Sequence, residues 1–282
     1  MASEDKKSNT RHTVRIGVFI PTDCQVLDAA AVDIMGSISY EWSYVILIPN
    51  LLSPHFAVPY YEKGKKDTEY SADMSMVSSL LPKAFLDLAP SVQIRYIGTV
   101  AAGQPIQLTS NQGLVATNHY ADAAVAPGEL DIVVVPGPDP FKEFEKGSLE
   151  WLKSQAETPG VDVLSICSGI LVCGAAGLLK GKTACGPRGM QDLIREKGYG
   201  EKELVGHKFR WIQDGNFWSS GGVTNGNDLV AAYCRASRHF PTPLVEVMCE
   251  MVDVGDRPQV YTKEMTTPDT FEGLIQAAGV SV

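Results

Sequence analysis

The sequence has no C-x-x-C pair and no cysteine-histidine spacing of the kind that binds zinc; its six cysteines stand singly at positions 24, 167, 173, 185, 234 and 249. A chain of 282 residues does not need covalent staples, so scattered thiols point to a reducing, cytoplasmic setting, with no metal site and no cofactor. Clusters of Lys and Arg are missing beyond the short Lys63, Lys65, Lys66 loop, and the net charge of −9 argues against nucleic acid, whose binding rests on basic patches. Long apolar runs are missing too. The longest, Tyr44 to Leu52, is broken by Pro49 and Asn50 and is too short to cross a bilayer, so no membrane partner is expected. Residues 1–13 lack the apolar stretch of a secretory signal and read as a flexible lead, and there is no internal repeat.

What is present is an alternation of apolar runs and helix-like segments, which favours a single α/β domain over residues 14–282. Val14 to Ile20 reads as a central strand ended by Pro21, and Val26 to Met35 as an Ala-rich helix with Asp28 in its first turn. A carboxylate there is accounted for by the helix macrodipole, with catalysis as the alternative. Residues 36–89 read as an insertion that lengthens the first crossover, with Met74 to Leu88 helix-like inside it. Val92 to Ile97 resumes strand character, and the cluster Ser110 to Gly113 suggests a hairpin. Leu130 to Val135 is the clearest buried strand. It runs into Pro136-Gly137-Pro138-Asp139-Pro140, where Asp139 as N-cap and Pro140 at the next position predict a helix over Phe141 to Gln155. Farther on, Asp214-Gly215 marks a hairpin, and helices are predicted at Gln191 to Lys197, Asp228 to Ala236, Pro243 to Val254 and Phe271 to Ala278.

Cys167 stands out within Val161 to Leu178. A short β-branched run leads into it and a small-residue helix pattern leaves it, with Ser165 and Gly169 at two residues on either side. That is the logic of the nucleophile elbow, in which a sharp strand-to-helix turn presents one side chain, here a thiol. The positive end of the following helix is expected to favour thiolate and lower its pKa. A buried structural cysteine fits the spacing equally well.

Taken together the motifs resemble the ThiJ/PfpI superfamily, whose fold is like the class I glutamine amidotransferase domain. The resemblance is carried by Leu27-Asp28, Leu130 to Gly137, Ser165-Ile166-Cys167-Ser168-Gly169, Ala175 to Lys182 and Asp214 to Asp228, and it is nearest the isonitrile hydratase branch and its fungal members. It implies a flavodoxin-like three-layer α/β/α sandwich on a largely parallel sheet. It further implies Cys167 as nucleophile, Asp28 as the acid beside it, and Ser168, Gly137 and Asp139 as oxyanion or pocket residues. The implied activity is addition of water to a small electrophilic isocyanide, giving an N-substituted formamide, in a homodimer paired through the first crossover helix. Dicarbonyl chemistry of the glyoxalase or deglycase type, and redox sensing without turnover, are the alternatives for the same thiol.

Two departures qualify the resemblance. No histidine lies between His119 and His207, where relatives with a Cys-His arrangement carry one, which disfavours histidine-assisted chemistry. Pro138 replaces the second glycine often found after the Asp131 strand and removes an N–H donor that the Asp139 amide is then asked to supply.

Overall fold

A computed structural model describes residues 11–42, 83–262, 275, 276 and 279. Most of the 36–89 insertion and of the last predicted helix lies outside the described residues.

Strand β1 (Thr13–Ile20) is buried on both faces apart from its first turn of chain, as its apolar sequence requires. It is followed by two short helices, α1 (Val26–Ala30) and α2 (Asp33–Ser37), in place of the single helix expected over Val26 to Met35. After α3 (Lys83–Leu88) comes β2 (Ser91–Gly98), which pairs in parallel with β1 along its whole length. Tyr40 N–H donates to Pro90 O at 2.7 Å and Val92 N–H to Glu41 Oε2 at 3.2 Å, so the chain resumes beside the point where it left.

The expected hairpin forms from β3 (Pro105–Gln107) and β4 (Gly113–Val115), and β5 (Asn118–His119) adds to the edge of β2. Strand β6 (Ile132–Val135) is fully buried. The helix expected at Phe141 starts later, as α4 (Lys146–Glu157), because Asp139 spends its side chain on a local turn, accepting Phe141 N–H at 3.0 Å. Then follow β7 (Asp162–Ser165), α5 (Gly169–Ala175), β8 (Thr183–Ala184), α6 (Gln191–Lys197) and β9 (Glu203–Leu204). The chain continues through the hairpin β10 (Trp211–Asp214) and β11 (Phe217–Ser220) to α7 (Asn225–Ala236) and α8 (Thr242–Met251).

The main sheet has the order β10-β11-β7-β6-β1-β2-β5 and is parallel except for the β10–β11 hairpin. Period-two side chains divide the interior into two cores: Ile16, Val18, Ile132, Val134 and Leu164 face α2, α7 and α8, while Phe19, Val133, Val135 and Val163 face α4, α5 and α6. This is the three-layer α/β/α sandwich that the alternation of elements predicts. Because β2 lies on one side of β1 and β6 on the other, the strand order reverses between β1 and β6. In such sheets the crevice at the carboxyl ends of those strands is where ligands bind. Among the described residues no helix is long and apolar enough to cross a membrane.

Candidate active site

Three chain segments meet at that crevice. Cys167 follows β7 with φ of 57°, a left-handed conformation that a non-glycine residue adopts only when its surroundings impose it. The surroundings here are tight: Ile166 N–H donates to Val135 O at 2.9 Å, and a Cβ on Gly169 would sit 2.1 Å from that same carbonyl oxygen. Glycine at 169 therefore lets the first turn of α5 press against the end of β6, and the elbow forms as the spacing predicts.

Asp28 comes from α1 and is fully buried; Cys167 keeps 8 % of its surface exposed. Asp28 Oδ2 accepts Gly137 N–H at 3.1 Å, while Oδ1 has no hydrogen-bond partner and no cation pairs with the group among the described residues. Burial therefore dominates, and it pushes the Asp28 carboxyl up to about 7 against the weaker pull of the Gly137 amide and the Cys167 thiol. The thiol is pushed up to about 12 by burial and by the charge of Asp28, opposed by the Ser168 backbone amide. The expectation that the helix would lower the thiol pKa is thus overturned: α5 is a seven-residue helix, and desolvation together with a facing carboxylate outweighs its partial charge.

Gly137 lines this crevice, since a Cβ there would lie 2.5 Å from Ser168 Oγ and 2.6 Å from Asp28 Oδ2. Ser168 is buried beside it and donates its hydroxyl to Pro138 O at 2.6 Å, and both that side chain and its backbone N–H also face the sulfur. Asp139 is not available in the role expected of it. Its backbone N–H donates to Asp23 Oδ1 at 3.1 Å, so it does not stand as a replacement oxyanion donor. No role is expected of Asp23 from the sequence. It is 6 % exposed and also pairs with Lys142 Nζ at 3.0 Å; the signal available was a Pro-Thr-Asp turn directly after a central strand.

Cys24, also buried, has its thiol pushed up to about 12 by burial and by the nearby charges of Asp28 and Asp23. His119 packs at a tilt against Tyr120 and His239 stacks on His12, so both act in packing. No group of three or more His, Cys, Asp or Glu side chains among the described residues is placed to hold a metal ion.

The family model described as DJ-1/PfpI matches residues 61–236. A curated relative, isonitrile hydratase from Pseudomonas putida, is 33 % identical over 151 residues, which cover 52 % of this chain and 60 % of that protein. The chain thus matches less than two thirds of that relative's length. Among solved structures, a ThiJ/PfpI family protein from Pseudomonas syringae superposes with a TM-score of 0.58 at 16 % identity, covering 92 % of this chain and 83 % of that one. DJ-1 from Schizosaccharomyces pombe gives 0.51 at 13 % identity, covering 86 % of this chain and 100 % of that one. At these identities the structural likenesses speak to the fold.

Proposed function

Because the chain belongs to the DJ-1/PfpI family, we propose that it is a cysteine-dependent hydratase, adding water to a small isocyanide to give an N-substituted formamide. The observation that carries this reading is the pairing of a thiol on a strained elbow with a buried carboxyl that no cation neutralises among the described residues. The name of the 33 % identical relative supports the choice of reaction.

A thiol and a carboxyl sharing one proton suit an α-addition. As Cys167 Sγ attacks the terminal isocyanide carbon, its proton passes to the Asp28 carboxylate, and the S–C bond forms. The carbon then takes that proton from Asp28, leaving a thioimidate, Cys–S–CH=N–R. Asp28, again a carboxylate, accepts a proton from water as the water oxygen attacks the CH carbon, and relays it to nitrogen. Collapse of the tetrahedral adduct breaks C–S; the hydroxyl proton returns through Asp28 to sulfur and the formamide leaves. The Ser168 N–H, facing the sulfur, stabilises charge developing there.

The working form holds one proton between the pair. It exists above the Asp28 value of about 7 and below the thiol value of about 12, so kcat/KM rises with pH through about 7. Purified protein supplied with cyclohexyl or aryl isocyanide should release the formamide. Release no faster than from Cys167→Ala overturns the proposal.

The competing readings draw less support. A thiol held protonated and nearly enclosed is a poor peroxide sensor, because oxidation proceeds through exposed thiolate. Among the described residues His119 packs with Tyr120 and His239 with His12, which gives dicarbonyl chemistry no base from either. The same family reading includes a homodimer paired through α1, where Leu27 stands 61 % exposed; a monomer on size-exclusion chromatography would remove it.

A further inference from the structure

Four hydrogen bonds stitch the turn after β1 to the loop after β6. Gln25 N–H donates to Gly137 O at 3.1 Å and Gly137 N–H to Asp28 Oδ2 at 3.1 Å; Asp139 N–H donates to Asp23 Oδ1 at 3.1 Å and Lys142 Nζ to Asp23 Oδ2 at 3.0 Å. Ser168, next to the thiol, closes the set through Pro138 O at 2.6 Å. Within the loop, Pro138 has no N–H to give, so the position of Gly137 is fixed from its two sides, by Gln25 and Asp28 before it and by Asp23 after it. Asp23 is buried yet touches neither Asp28 nor Cys167 by any hydrogen bond; its bonds run to the loop and to Thr22, whose Oγ1 donates at 3.2 Å.

We propose that Asp23 is a positioning residue: by anchoring the Asp139 amide and the Lys142 ammonium it holds the Gly137 N–H on Asp28, and so keeps Asp28 in working register with Cys167. The inference rests on the reading of Asp28 and Cys167 as the reactive pair. The titratable groups facing Asp28 are the Cys167 and Cys24 thiols, and those facing Asp23 are Lys142 and Cys24. Among the described residues the Gly137 amide is the one backbone donor that pulls the Asp28 proton affinity down, so a loop that releases Asp28 while leaving it buried lets the affinity climb.

The sign of this effect separates it from simple electrostatics. Removing a negative charge near Asp28 would, by itself, lower the pKa of Asp28; an upward movement arises only through the loop. The test is a pH titration of side-chain carboxyl carbons followed by NMR in aspartate-labelled full-length protein, with the Asp28 signal assigned by its loss in Asp28→Asn. Asp23→Ala should move the Asp28 midpoint upward by half a pH unit or more. Asp23→Asn, which keeps the volume and one acceptor for the Asp139 amide, should move it less and in the same direction. An unmoved or lowered midpoint in folded Asp23→Ala overturns the proposal; should that variant not fold, an unmoved midpoint in Asp23→Asn does so. Where wild-type protein forms formamide, the inflection of its pH-rate profile should shift by the same amount. Absence of formamide from wild-type protein counts against the hydratase reading alone, since the NMR midpoint is read without substrate.

Discussion

The two ends of β6 hold aspartates in opposite circumstances. At its amino end Asp131 accepts Arg15 N–H at 2.8 Å and grips the Arg15 guanidinium through Nε at 3.1 Å and Nη2 at 2.9 Å. Burial would raise its pKa, but those hydrogen bonds and the guanidinium charge more than offset it and hold the carboxyl below its usual range. Beyond the carboxyl end, at Gly137, Asp28 of α1 has one backbone amide, one orphaned oxygen and, among the described residues, no cation, and it sits near neutrality. The difference teaches that a neutralised carboxylate is committed to holding strands together, whereas one left without a counter-charge keeps its proton available for transfer.

The sharpest way to break this contrast is Asp28→Asn, which keeps the side-chain shape and removes the exchangeable proton. Formamide formation should fall by roughly 10²–10⁴-fold, the usual worth of a positioned acid-base group, and the inflection near pH 7 should vanish. Next in size, Arg15→Ala should cost about 1–3 kcal/mol of stability in denaturant titrations while leaving the pH-rate inflection in place. Because the folded pKa of Asp131 is depressed, the stabilisation it provides is present above the unfolded carboxylate value and fades as pH falls through the folded one. Wild-type and Arg15→Ala melting curves should accordingly converge in acid. The smallest expected effect lies in the stability of the wild type itself. The folded pKa of Asp28 is raised, so its contribution is complete below the unfolded value and is lost as pH rises through about 7. Asp28→Asn should therefore gain a few degrees in melting temperature relative to wild type above neutrality and not in acid, as followed by calorimetry.

Much of this arrangement is readable from residue order. The buried strands announce themselves as β-branched runs, Leu130 to Val135 above all, and the elbow shows in the small residues flanking Cys167. Residues joined only by the fold were harder to read. Asp139 carries a helix-start signature, yet Asp23, more than a hundred positions upstream, takes its amide, its own carboxylate turns the chain locally, and the helix waits until Lys146. The first crossover reads as one helix because Ala-rich spacing continues past Ala30, whereas the chain turns at Ala31-Val32 before resuming as α2. The thiol pKa is not legible for a comparable reason: helix placement is local, while burial and the approach of Asp28 belong to the assembled sheet.

The left-handed backbone at Cys167 sets folding and reactivity at odds. Glycine would occupy that turn more comfortably, by about 1–2 kcal/mol on the usual cost of such a conformation, so the substitution most welcome to the scaffold is the one that silences it. Random drift toward sturdier variants would tend to erase the sulfur first.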